Sequence, residues 1–200
     1  MRFSGYEEDE LKIQVGVMGS AGGRIPREVR EKAFELGRQI ARRNCVLLTG
    51  ACPGLPYEAV RGCKAEGGMT VGISPALNLH EHMTQYRSPH RDFDVLIYTG
   101  DGLMGREITG IRSCDIVILV RGRSGTLGEF AIAYDEAKLI GVLQETGGVA
   151  DHVDEIVDIV NKETGAALIF DARPERLMAR LLRVYRTRSK SHPRPRPASG

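Results

Sequence analysis

No tryptophan occurs among the 200 residues, and no apolar run is long enough to span a bilayer. Met1 to Glu10 is polar and acidic, unlike a signal peptide. The four cysteines (Cys45, Cys52, Cys63 and Cys114) form no Cys-x-x-Cys pair, and no histidine cluster completes a zinc spacing. They read as reduced thiols of a cytoplasmic protein, with Cys45 and Cys114 packing beside strands. The Gly-x-Gly-x-x-Gly spacing of dinucleotide sites is missing from the first turn, where Gly16 and Gly19 stand three apart. No Gly-x-x-x-x-Gly-Lys-Ser/Thr occurs either, so an ATPase P-loop is excluded. Lys64 and Lys138 read as exposed, which leaves pyridoxal chemistry without its Schiff-base lysine. The reading calls for no metal and no organic cofactor.

A basic surplus is also missing from the body of the chain. The net charge of +2 comprises 28 basic and 26 acidic residues. Five of the cations, Arg186, Arg188, Lys190, Arg194 and Arg196, fall in a C-terminal stretch that has no acid; the remaining 23 against 26 acids leave about −3. The body is therefore not a basic nucleic-acid platform. The Pro/Arg-rich tail, 187–200, has little to bury and is expected to be disordered, and 1–10 reads as a flexible leader.

What is present centres on residues 115–129. Ile116 to Val120 is an unbroken apolar run, as in a strand covered on both faces. Gly122, Arg123, Ser124 and Gly125 form a tight polar turn. From Thr126 the spacing of Leu127, Phe130, Ala131, Tyr134 and Ala137 is helical. Amide groups at a helix start have no intrahelical partner, so this turn is an anion cradle, with hydroxyls from Ser124 and Thr126. Glu129 lies one helical turn away. It is either an acid favoured by the helix dipole or a group aimed at what the cradle holds.

The rest of the chain repeats strand, glycine turn and helix. Strands are expected near Lys12–Met18, Cys45–Leu48, Met69–Ile73, Asp94–Tyr98, Lys138–Leu143 and Ala167–Phe170, and a closing helix over Pro174–Arg186. Residues 75–92 look irregular, with His80, His82 and His90, and suit a mobile flap over a ligand. About seven alternations without a hairpin signal require a Rossmann-like α/β domain over 11–186, a doubly wound, mostly parallel sheet with helices on both faces. In such sheets ligands bind beyond the carboxyl ends of the strands. Gly19-Ser20, Thr49-Gly50 with Gly54, and Gly122 to Thr126 all follow strands, so they should converge on one edge.

Over residues 12–145 the chain resembles the LOG family, Rossmann-like proteins often labelled "possible lysine decarboxylase". Against that family's Pro-Gly-Gly-x-Gly-Thr-x-x-Glu, the chain matches at Gly122, Gly125, Thr126 and Glu129. Arg121 replaces the proline and Arg123 the second glycine. The family's arginine falls on Arg106, followed here by Glu107 instead of the usual lysine. These departures resemble the branch that includes molybdenum-cofactor carrier-like proteins. The resemblance implies a phosphoribohydrolase that cleaves the N-glycosidic bond of a nucleoside 5′-monophosphate, giving a free base and ribose 5-phosphate. Arg106 and Glu129 would be catalytic, and Gly19, Ser20, Thr49, Gly50, Gly54, Gly122, Arg123, Ser124, Gly125 and Thr126 would bind the phosphate and nucleotide. The alternative is a protein that holds a nucleotide or phosphorylated pterin without turnover. A third reading, a DNA-processing partner, has only the tail in its favour. The family also implies a homodimer, with the helix over Leu103–Arg112 as a candidate interface.

Overall fold

A computed structural model describes residues 11–191 of the chain. The expected leader, and the tail from residue 192 on, lie outside the described residues. In chain order the elements are β1 (Gln14–Gly19), α1 (Arg27–Arg42), β2 (Val46–Thr49), α2 (Leu55–Ala65), β3 (Thr70–Ser74), α3 (Leu79–Thr84), β4 (Val95–Tyr98) and α4 (Gly102–Arg112). Then follow β5 (Ile116–Val120), α5 (Ser124–Asp135), β6 (Leu139–Leu143), a 3₁₀ turn (Gly148–His152), α6 (Val153–Val160), β7 (Ala167–Asp171) and α7 (Pro174–Ser191).

The seven strands form one sheet in the order β4-β3-β2-β1-β5-β6-β7, and every pairing is parallel. The order reverses at β1, which pairs with β2 on one side and β5 on the other, with Gly19 beside Val120. A crevice opens at such a reversal, because the connections on its two sides leave over opposite faces of the sheet.

Strand periodicity splits the core in two. Val15, Val17, Ile116, Ile118 and Val120 point to the face covered by α1, α2 and α7. Met18, Val117, Leu119, Ile140 and Val142 point to the face covered by α5 and the segments near it. Helices α1 and α2 pack most closely. A side chain at Gly37 would overlap the Ala59 carbonyl, and one at Gly62 the Phe34 carbonyl.

Three sequence expectations are corrected here. Residues 75–92 are not irregular throughout, and none of them lines the cleft at the β1–β5 junction. They contain α3, capped by the Asn78 side chain accepting from the Glu81 amide. His82 is fully buried, with Nδ1 2.8 Å from Ser74 Oγ and Nε2 2.9 Å from the Pro89 carbonyl, which ties the segment to β3. Second, the inward face of α5 is Thr126, Glu129, Phe130, Ala133 and Tyr134, whereas Leu127 is 41% exposed and Ala131 and Ala137 are exposed. Third, the closing helix continues beyond Arg186 to Ser191. Arginine and lysine are good helix formers, and the extra turn is held where Arg188 donates to the Gly165 carbonyl at 3.0 Å.

Candidate functional site

Three turns meet at the β1–β5 junction and line a cleft of about 390 Å³. Gly19, Ser20 and Ala21 come from the turn after β1, Gly50 and Cys52 from the turn after β2, and Arg123 to Thr126 from the turn after β5. Arg106 and Glu107 of α4 and Glu129 of α5 close the inner end.

The turn after β5 is built in layers. Arg121 adopts a left-handed backbone (φ 57°), and its side chain leaves the cleft to donate to the Thr146 carbonyl at 2.8 Å. Its amide donates to Thr146 Oγ1, also at 2.8 Å. Gly122 follows with φ 99°, and its amide donates to Ser20 Oγ at 3.1 Å. This bond clips the first and third turns together. Arg123, extended, starts α5, and its carbonyl accepts from the Leu127 amide at 2.9 Å. The amides of Ser124, Gly125 and Thr126 thus fall in the first helical turn, where no earlier carbonyl is in register to receive them. Their partial positive charge and the helix dipole favour an anion. The Arg123 guanidinium is exposed and reaches the opposite lip, 3.8 Å from the position a Cβ on Gly23 would take.

The inner wall carries buried charge. Arg106 is 7% exposed, and its Nε has no hydrogen-bond partner among the described residues. Gly50 admits it, since any side chain there would overlap the guanidinium. No ion pair within 4.0 Å joins Arg106 to Glu129 or Glu107 among the described residues. Burial pushes the Glu129 carboxyl up to about 8; Arg106 pulls it down, Glu107 pushes it further up and the Thr126 hydroxyl pulls it down. Burial likewise raises Glu107 against the pull of Arg106, and raises the Cys52 thiol.

Of the residues expected at the site, Gly19, Ser20, Gly50, Arg106, Arg123, Ser124, Gly125, Thr126 and Glu129 line the cleft. Thr49, Gly54 and Gly122 do not. Thr49 is fully buried, and its Oγ1 accepts from the Ala51 amide at 3.1 Å. Gly54, at φ 80°, packs on the Ser20 carbonyl where α2 begins. All three shape turns whose neighbours do the lining. Cys52, in the turn after β2, and Pro56, in the first turn of α2, were missed, because nothing in a cysteine or proline at such places marks a ligand wall. Glu107 stood out in the sequence only as a departure from a family pattern. No further signal in the sequence marked it, because α4 is turned with Leu103, Met104 and Ile108 exposed and Arg106 and Glu107 inward. Among the described residues, no group of three or more His, Cys, Asp or Glu is placed to hold a metal ion.

An uncharacterized protein of Archaeoglobus fulgidus is 32% identical over 133 residues, covering 66% of this chain and 80% of its own. The molybdenum cofactor binding protein of Rippkaea orientalis is similar in structure, with a TM-score of 0.71 at 28% identity, over 87% of this chain and 97% of that one. The molybdenum cofactor carrier protein of Chlamydomonas reinhardtii gives 0.69 at 26% identity, over 86% and 98%. The family model that matches residues 12–178 spans all seven strands and all three turns of the cleft, and by that match the chain belongs to the SLOG cluster4 family, of LOG-like Rossmann fold.

Proposed function

We propose that the chain binds a phosphorylated small molecule, a nucleoside monophosphate or a phosphorylated cofactor, in the β1–β5 cleft and holds it without turnover. The observation that carries this reading is Arg106, a buried guanidinium with an unpartnered Nε in the cleft wall. Such a donor is costly to bury unless a ligand satisfies it. The phosphate would sit on the amides of Ser124 to Thr126, with Ser20, Ser124 and Thr126 hydroxyls around it and Arg123 closing over it. The likeness to two molybdenum-cofactor binding and carrier proteins supports a binding role.

The phosphoribohydrolase reading keeps one observation in its favour: Glu129 and Arg106 do share the cleft. In that reaction an ionised Glu129 would stabilise the oxocarbenium-like sugar or orient water. Yet a carboxyl raised to about 8 is ionised in only about a tenth of molecules at pH 7. Held toward its neutral form by burial, Glu129 suits a hydrogen-bond donor to a held ligand better than a stabiliser of positive charge. The expected partner remains a small phosphorylated molecule, taken up by a homodimer whose contact surface includes α4.

A panel of nucleoside monophosphates, assayed in parallel for binding and for base release, tests the reading. The wild type is expected to bind at least one of them without releasing base. Arg106→Ala should weaken binding about 10–100-fold, the loss of one or two charged hydrogen bonds. Base release by the wild type that Glu129→Ala abolishes would replace the binding role with the hydrolase. Mass spectrometry of small molecules that co-purify with the chain gives an independent readout.

A further inference from the structure

Glu107 has no task in the function proposed above. It is 9% exposed and lines the cleft. Its carboxylate lies against the first turn of α5, with Oε2 3.2 Å from where a Cβ on Gly128 would be and Oε1 3.6 Å from that on Gly125. Burial pushes its carboxyl up while Arg106 pulls it down, and Glu107 forms no ion pair within 4.0 Å among the described residues. Both oxygens can accept, and the cleft that Glu107 lines is where they can meet a donor. An enclosed carboxylate without donors is costly, and an ionised one accepts only. Gly125 and Gly128, three residues apart on α5, carry no side chain, and the Glu107 carboxylate takes the space beside them.

We propose that Glu107 selects the ligand's ring by accepting a paired N–H edge, a ring N–H next to an exocyclic amine, so that the cleft prefers a phosphorylated guanine-type heterocycle to an adenine-type one. The inference rests on the phosphate-binding reading above. Two parallel N–H donors match the two oxygens of a carboxylate in a fork, which gives geometry as well as strength. Adenine turns a ring nitrogen acceptor to the equivalent position, where it would face the carboxylate without a proton. A site built to pair with ligand N–H groups rejects analogues that lack them, because its own buried polar atoms are then stranded. Ribose hydroxyls are common to both nucleotides and cancel in the comparison.

Calorimetric titration of the full chain with GMP, IMP, AMP and ribose 5-phosphate tests this. The wild type should bind GMP at least about tenfold more tightly than AMP, with IMP between them, the scale of one lost bidentate contact. Glu107→Ala should remove the preference, bringing the affinity for GMP down to that for AMP. Glu107→Gln, nearly isosteric and able to donate as well as accept, should shift preference toward AMP; it also covers the case in which the alanine variant does not fold. Equal wild-type affinity for GMP and AMP overturns the proposal, as does an alanine variant that weakens all four ligands alike, which would place Glu107 on the sugar or phosphate. A wild type that binds ribose 5-phosphate but does not discriminate sinks this inference alone. One that binds none of the four sinks the phosphate-binding reading with it. A pterin phosphate carries the same 2-amino-4-oxo edge, and titrating it alongside GMP decides which source the cleft favours.

Discussion

At the residue scale, Glu129 ties the site to the stability of the fold. In the folded chain it keeps its proton up to about 8, while an unperturbed glutamate releases it near 4.5. Between those values the native state binds more protons than the unfolded state, so this group's contribution to stability falls as pH rises through the window. The slope is at most about 1.4 kcal/mol per pH unit. Glu129→Gln keeps the shape and cannot ionise. Denaturant melts at pH 5 and pH 8 should show the variant gaining on the wild type at the higher pH, by roughly 1–4 kcal/mol, and matching it near pH 5. A constant difference between variant and wild type across that range would mean that Glu129 is ionised in the fold. The same proton bears on chemistry: if base release occurs at all, its rate should climb toward pH 8 as the carboxylate forms.

At the scale of elements, α1 and α2 depend on two small residues that leave no room for a methyl group. Gly62→Ala sets a Cβ against the Phe34 carbonyl and should destabilise by about 1–3 kcal/mol. Thermal melting reads this as roughly 2–4 °C for each kcal/mol in a chain of this size. An unchanged Tm would show that the helix pair can slide apart without loss. The elements also show what the sequence made legible. Strand runs such as Ile116 to Val120, and the glycine turns after them, were readable because a doubly buried strand admits only apolar residues and a βα turn admits few others. The face of α5 was not. Apolar spacing put Leu127 inside, but the helix is turned so that Thr126 and Glu129 face inward, because the crevice wall needs polar groups there. Helix α4 misleads in the same way, with its apolar residues outside and its charges within. Periodicity reports which side is apolar; it cannot tell a core from a surface awaiting a partner, or a solvated face from a ligand site. His82 was read as part of a loose segment because its two ring partners, Ser74 and Pro89, are invisible in the local pattern.

At the scale of the whole molecule, apolar side chains are exposed on α4, which packs on β3, and on the neighbouring edge strand β4. Leu103 is 57% exposed, Met104 75% and Ile108 44%, and on the edge strand Val95 and Ile97 are 40% and 45% exposed. Such a concentration favours contact with another chain, and the homodimer proposed above would cover it. Met104→Glu combined with Ile108→Glu should convert a dimer to a monomer in light scattering. Ile159→Glu, 82% exposed on the distant α6, should leave the mass unchanged. A wild type that is monomeric at high concentration removes the dimer from the proposal.

The bond from the Gly122 amide to Ser20 Oγ spans 102 positions of the chain. One lip of the cleft is thus translated long before the other, and the early lip has nothing to close against until β5 has left the ribosome and slotted in beside β1. Under the proposed binding role, ligand capture by the nascent polypeptide would be all-or-none, since a shorter N-terminal product of interrupted synthesis lacks the second lip.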